Sequence, residues 1–312
     1  MNTEQKNLIV TALDEYLALH NMSANDFAKK SGINSSYISN IRSGTWILKS
    51  GTNMVEIADK YFDMIAGQIG YNVEKSGWDV IPTSQFKRIL ATLEDAKEYG
   101  YTNVIIGETG SGKSFVSDIF ARNYPLDCFV ITVGSQDNIT DLIEKLCERV
   151  GVPQEKTKSR TLRYVAKKLR AMRLDGHKPM IIFDEAEYMK APALCNMKEL
   201  YDSLNGICAI VLMGTEQLTR HIDKMLKKNR DGIPQLMRRI KFGIRILPTI
   251  DRTFKQFLNG LNDPALVKFL CENCNNYGEL HDVLVPAMRE AERTGNPLTE
   301  NFIRTIFNMP KI

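Results

Sequence analysis

Apolar and polar positions change their period twice along the chain. Through about residue 65 they follow a helical repeat: Leu8, Ile9, Ala12, Leu13, Tyr16 and Leu17 form one stripe, and Phe27, Ala28, Ile38 and Ile41 continue it in shorter segments. The periodicity lapses from Gly70 to Pro82 and marks a linker over 69–82. Beyond it, short apolar runs at 104–106, 128–133, 180–183, 208–213 and 242–247 read as strands. Amphipathic segments at 139–150, 161–172, 193–204 and 216–227 read as helices between them. Apolar strands separated by helices predict an α/β core with a five-stranded parallel sheet, helices on both faces, and ligands at the carboxyl ends of the strands. After Pro248 the pattern is helical throughout, in segments near 251–259, 263–275, 278–293 and 298–308. The predicted organisation is an all-helical unit over 1–68, the linker, a core over 83–248 and a helical lid over 249–312.

The first unit holds a candidate helix-turn-helix. Ser23 is placed to cap a helix carrying Phe27 and Ala28, Gly32 to stop it, and Asn34 or Ser35 to cap a second helix buried by Ile38 and Ile41. That leaves Ser35, Ser36, Tyr37, Ser39, Asn40 and Arg42 facing outward, as a helix entering a major groove requires. The spacing resembles the phage-repressor type of this motif. With one arginine on the outward helix, the alternative is a helical hairpin that binds no DNA.

The chemistry concentrates in Gly107-Glu108-Thr109-Gly110-Ser111-Gly112-Lys113-Ser114, between an apolar run and a helical pattern that opens at Phe115. The glycines permit a tight path that turns backbone N–H groups toward a polyphosphate, and the following helix adds its positive N-terminus. Lys113 is placed to reach the outer phosphates, and Ser114 to hold Mg²⁺. Asp184 and Glu185 close another apolar strand, with Asp184 suited to the Mg²⁺ shell through water and Glu185 to orienting or deprotonating an attacking water. Val80, Ile81 and Phe86, upstream of the loop, are candidates to flank a base.

This order of parts resembles the AAA+ P-loop NTPases over residues 80–308. The resemblance implies ATP with Mg²⁺, and a polar γ-phosphate sensor at the end of the strand after the acidic pair, here Thr215. It also implies an arginine before the last strand that reaches a neighbouring subunit's nucleotide, Arg239 first and Arg238 second, with a solvated or DNA-facing basic pair as the alternative. A lid arginine in a Gly-x-x-Arg pattern is replaced here by Gly278-Glu-Leu-His281, so His281 is the nucleotide candidate at that place.

The full arrangement is similar to the transposon target-selection ATPases of the phage Mu B type, with Ile181-Ile182-Phe183-Asp184-Glu185-Ala186 and Val211 to Gly214 as shared wording. That resemblance implies a helical, ATP-dependent homo-oligomeric filament on double-stranded DNA, little sequence preference, and a cognate transposase as partner. Two other classes stay open: a loader of replicative helicase, and a regulator switched by ATP.

Overall charge alters this picture little. Lys plus Arg number 41 against 37 Asp plus Glu, a net charge of +4, so distribution decides. Lys156, Lys158, Arg160, Arg163, Lys167, Lys168, Arg170 and Arg173 are opposed over 156–178 only by Asp175. Arg160, Arg163, Lys167 and Arg170 fall on one helical face, which suits a phosphate backbone without reading bases or is merely solvated. The six cysteines are scattered and expected reduced. Cys271 and Cys274, near His281, form either half of a zinc site or two thiols on one helical face. No apolar run approaches a membrane span and no signal peptide is evident, so a cytoplasmic protein is expected.

Overall fold

Local caps and turns delimit the elements. The computed structural model describes residues 3–19, 22–50, 53–69, 80–261 and 263–310, and the chain divides into two units, Met1–Trp78 and Asp79–Ile312. Most of the linker expected over 69–82, residues 70–79, lies outside the described residues.

In the first unit α1 (Thr3–Leu19) precedes α2 (Ala24–Ser31) and α3 (Ser35–Arg42). The Ser23 side chain accepts from Asp26 N to start α2, Gly32 ends it at φ 70°, and the Asn34 side chain accepts from Ser36 N to start α3. Ile9, Leu13, Phe27, Ile38, Ile41, Phe62 and Ile65 form the shared core; the side chain of Leu8 lies outside the described residues. The expectation of an all-helical unit is corrected. A hairpin of β1 (Ile47–Ser50) and β2 (Asn53–Glu56), paired antiparallel, separates α3 from α4 (Asp59–Ile69). Its base is held by Lys6, buried beside the Trp46 and Phe62 rings and paired with Glu56 (2.7 Å) and Asp59 (2.9 Å). Four-residue strands are too short for a period-2 pattern to stand out from a loop.

The second unit begins with α5 (Ser84–Tyr99), β3 (Thr102–Ile106), α6 (Lys113–Asn123) and β4 (Cys128–Thr132), followed by α7 (Ile139–Val150) and α8 (Lys158–Leu174). Then come β5 (Met180–Asp184), one turn of 3-10 helix at Ala186–Tyr188, α9 (Ala191–Leu204), β6 (Ala209–Gly214), α10 (Glu216–Lys227), α11 (Ile233–Ile240) and β7 (Ile244–Ile246). The C-terminal helices are α12 (Lys255–Leu258), α13 (Pro264–Asn273), α14 (Tyr277–Thr294) and α15 (Glu300–Ile306).

The strands form one five-stranded sheet in the order β4-β5-β6-β3-β7, with parallel pairing at every step. Alternate residues feed two cores. Val104, Ile106, Ile181, Phe183, Ile210 and Leu212 pack with residues of α7 to α11, while Ile105, Met180, Ile182, Val211 and Met213 pack with α5 and α6. Each fully buried aliphatic side chain adds about 1.5–3 kcal/mol, so a sheet covered on both faces is the main source of cohesion. The crossovers place the carboxyl ends of β3, β5 and β6 side by side.

Three local departures have identifiable causes. The fifth strand covers only 244–246, because a 3-10 turn takes 241–243; it brings Gly243 so close to β3 that a Cβ there would stand 2.4 Å from Thr102 O, and it leaves Phe242 85% exposed. The helix expected over 251–259 shrinks to α12, since Asp251 forms a turn with Thr253 and Phe254 has φ 47°. Helix α11 stands where the pattern predicts no element, although Gly232 followed by Pro234 in its first turn is a start signal. Among the described residues no helix is long and apolar enough to cross a membrane, and no group of three or more His, Cys, Asp and Glu could hold a metal.

Candidate nucleotide site

The loop 107–112 leaves the buried end of β3 and turns into α6 with Gly110 at φ 70° and Gly112 at φ 86°. Its first residue is tied to the sheet, Gly107 N donating to Gly214 O at 3.1 Å. Lys113 Nζ donates to Gly107 O (3.0 Å) and Glu108 O (2.9 Å), folding its ammonium back across the loop. Ser111 is buried, and its Oγ has no hydrogen-bond partner among the described residues. Thr109 is exposed at the crest. Burial holds the Lys113 ammonium below its ordinary value, against the opposing charges of Glu187, Asp184 and Glu185.

Ser114 Oγ donates to Asp184 Oδ2 at 2.5 Å, joining the start of α6 to the end of β5 across 70 residues. Asp184 is 4% exposed, and its Oδ1 accepts from Glu185 N at 3.0 Å. Glu185 stands in the left-handed region, φ 56° and ψ 37°. Its carboxyl is held above the ordinary value by desolvation first, then by the charges of Asp184 and Glu187. Thr215 follows β6, the strand between β5 and β3, and its hydroxyl oxygen caps α10 by accepting from Gln217 N at 3.3 Å. The structure therefore brings 107–114, Asp184, Glu185 and Thr215 to one edge of the sheet.

Other candidates lie elsewhere or are engaged. Phe115 is 43% exposed on α6. Arg239 ion-pairs with Asp202, donates to Gln235 O (3.0 Å) and lies 5.2 Å over the Tyr201 ring, whereas Arg238 is exposed and has no hydrogen bond or ion pair among the described residues. His281 is half-exposed, with Nδ1 3.0 Å from Asp282. Val80 is 52% exposed and Phe86 packs with the core. Neither they nor Ile81 line the small cleft of about 120 Å³ formed by Thr83, Ser84, Asp251, Phe254, Lys255, Gln256, Phe257 and Tyr277.

Of the basic segment, Lys156, Lys158, Arg160, Arg163, Lys167 and Arg170 are all exposed, and the buried face of α8 is Thr161, Leu162, Val165, Ala166, Leu169 and Met172. Arg170 donates to Ser203 O (2.6 Å) and Arg160 lies 3.8 Å from Glu155; Arg163 and Lys167 have no such partner among the described residues. In the first unit Ser36 is exposed, Tyr37 packs on Tyr61 with centroids 4.7 Å apart, and Arg42 pairs with Asp14 at 2.5 Å. The outward face expected of α3 is thus partly spent on contacts within the unit, and its one arginine is already neutralised.

Several contacts to the loop were missed. Tyr277 N donates to Gly110 O (3.2 Å), and Tyr277 Oη lies 3.1 Å from Gln85 Oε1. Gln85 Nε2 reaches Pro248 O (3.2 Å) and Thr249 O (2.8 Å), while Arg252 pairs with Glu108 at 2.7 Å. Asn276 abuts Gly110, where a Cβ would stand 2.2 Å from its Oδ1. The start of α14 touches the loop. The Asn276 cap of an amphipathic helix was the available signal.

This site fits a nucleoside triphosphate with a divalent cation. Lysine bonds to loop carbonyls and the unpartnered Ser111 Oγ are groups a phosphate would engage, and the Ser114–Asp184 pair is an oxygen donor set suited to Mg²⁺. Fold and site together are those of a P-loop ATPase, with an α/β core of the AAA+ type. The family model described as AAA domain matches residues 97–222. Among characterised proteins the chain is similar to the Mu-like prophage FluMu DNA transposition protein B of Haemophilus influenzae, 22% identical over 218 residues, covering 67% of this chain and 70% of that protein. Among solved structures it resembles the Aeropyrum pernix ORC2 protein (TM-score 0.52, 15% identity, 74% of this chain and 68% of that one). It also resembles Cdc6p from Pyrobaculum aerophilum (TM-score 0.51, 14% identity, 77% and 69%). Structural likeness at these identities establishes the fold.

Proposed function

We propose that the protein binds duplex DNA in an ATP-dependent manner with little sequence preference, assembles on it as a helical filament, and presents it to a partner transposase, with hydrolysis dismantling the filament. The observation that carries the reading is the exposed basic face of α8, in the same unit as the nucleotide site. The likeness to a transposition protein B gives it direction. Arg163 and Lys167, uncommitted within the described residues, are the strongest phosphate contacts; Arg160, Arg170, Lys156 and Lys158 surround them. Ser36, Tyr37 and Arg42 of the helix-turn-helix play at most a supporting part, Arg42 being paired with Asp14.

In this reading Lys113 and the loop N–H groups hold the triphosphate, and Ser114 and Asp184 hold Mg²⁺, which screens phosphate charge. Glu185 takes the proton of the attacking water, and Thr215 contacts the γ-phosphate from the end of β6. The arginine crossing to the neighbouring subunit is Arg238, since Arg239 is bound to Asp202 and Gln235 of its own chain. The helices after Pro248 act as the lid, with Asn276 and Tyr277 against the loop. Coupling arises because a neighbour's arginine completes each site, so assembly and nucleotide occupancy stabilise each other.

The test is electron microscopy and DNA binding on random duplex, with and without a non-hydrolysable ATP analogue. Filaments should require the analogue. Lys113→Ala should abolish ATP-dependent binding, while Glu185→Gln should retain binding and slow disassembly. Arg163→Glu with Lys167→Glu should weaken binding to all sequences alike, and loss of two phosphate contacts lowers the log–log salt slope by about 1.8. Equal DNA binding with and without nucleotide would sink the proposal.

A further inference from the structure

One carboxylate beside the loop has no part in the scheme above. Glu187 lies in the 3-10 turn after β5, and its side chain folds against the end of β6: a Cβ on Gly214 would stand 2.7 Å from Glu187 Oε2. That oxygen is sealed from solvent and has no hydrogen-bond partner among the described residues. Gly214 is also where the loop is fastened, through Gly107 N, and Thr215 follows it. An acceptor-only oxygen therefore sits at the joint of β5, β6 and the phosphate loop.

An unpartnered buried carboxylate oxygen is costly, and a group of this kind in a native fold awaits a donor. Lys113 is the nearby cation, and Glu187 is the leading carboxylate acting on its charge, yet its hydrogen bonds go to Gly107 O and Glu108 O. Once Lys113 turns to phosphate, the small donor left to this corner is water. Glu185, exposed and at the turn, can accept one proton of a water molecule. A second acceptor is needed to fix the other O–H bond and aim the lone pair.

We infer that Glu187 is a positioning residue for hydrolysis: its inward oxygen, sealed while Lys113 is folded back on the loop, opens when nucleotide draws that ammonium away and then accepts a hydrogen bond from the attacking water while Glu185 accepts the other. The water oxygen bonds to the γ-phosphorus, the bond from phosphorus to the β–γ bridging oxygen breaks, and Glu185 receives the proton released. The inference rests on the ATPase activity and not on the filament.

The experiment compares full-length wild type with Glu187→Gln and Glu187→Ala by steady-state ATP hydrolysis with Mg²⁺, binding of a fluorescent ATP analogue, and thermal melting. Glu187→Ala should lower kcat about 10- to 100-fold, the scale of a misplaced reactant, with nucleotide affinity within about threefold of wild type. Glu187→Gln keeps an acceptor oxygen and should recover part of that rate, which a structural role would not produce. If the alanine variant does not fold, the isosteric glutamine variant carries the test through the same split, with kcat reduced and affinity kept. An unchanged kcat with tighter nucleotide binding would overturn the inference and make Glu187 a counter-ion of Lys113. Hydrolysis is measured with and without duplex DNA, so failure of the DNA reading would show separately.

Discussion

Replacing Gly110 with alanine tests whether α14 rests on the phosphate loop. At φ 70° an L-residue pays a backbone penalty of about 1–2 kcal/mol. The added methyl would also stand 2.2 Å from Asn276 Oδ1 and 2.3 Å from its Cγ, so Asn276 must move. That carboxamide oxygen caps α14 through Glu279 N at 2.9 Å, and loss of such a cap costs about 0.5–2 kcal/mol. The expected total is about 1.5–4 kcal/mol. Gly112→Ala is the control: φ is 86°, but nothing lies within 4 Å of the new atom, leaving only the backbone term. Urea or thermal unfolding of the full chain without nucleotide should place Gly110→Ala below Gly112→Ala by about 0.5–2 kcal/mol, or roughly 1–8 °C for a domain of this size. In an Asn276→Gly background the excess should vanish, because all three atoms nearest the added methyl belong to that side chain. Equal penalties in both backgrounds, or no excess over Gly112→Ala, would show that the contact between loop and helix is absent in solution.

The adjacent arginines should separate cleanly. Arg238→Ala should lower kcat by about 100-fold or more, leave stability within about 0.5 kcal/mol of wild type, and regain activity when mixed with Lys113→Ala protomers. Arg239→Ala should instead cost about 1–2 kcal/mol through Asp202, Gln235 and Tyr201; the reverse pattern would restore Arg239 to the finger role. Cysteine alkylation checks the packing: burial pushes the Cys128 thiol up to about 12 and raises Cys208 further. At pH 8 the thiolate fraction of Cys128 is then roughly 10⁻⁴. Mass spectrometry of the native protein should find Cys195 and Cys271, which are partly exposed, labelled well before Cys128, Cys147, Cys208 and Cys274. Labelling of Cys128 at the rate of Cys195 would contradict the buried sheet.

The parallel core was legible because its signals are local and repeated. Four of the five strands hold an apolar run, and α7 and α10 span the expected 139–150 and 216–227, each starting at its N-cap, Asn138 and Thr215. The β1–β2 hairpin left no such mark, its strands being four residues each. Around the loop, spacing indicated Lys113, Ser114 and Asp184 because loop and strand end are each continuous in sequence. Arg252 and Asn276 reach it by tertiary placement across separations such as the 144 residues between Glu108 and Arg252, and Gln85 holds Tyr277 beside it. Which of two neighbouring arginines stays uncommitted depends on Asp202, 37 residues upstream of Arg239. Glu187 was hidden for the same reason: its significance lies in the end of β6, not in its own neighbours.

The left-handed backbone at Glu185 carries a wider consequence. A glycine or asparagine would sit there with less torsional cost, by about 1 kcal/mol. The most robust version of this molecule and the working one should therefore be different molecules. Selection for heat tolerance alone would be expected to erase the carboxylate that we propose as the base for hydrolysis, leaving a sturdier protein that grips its ligand and never lets go.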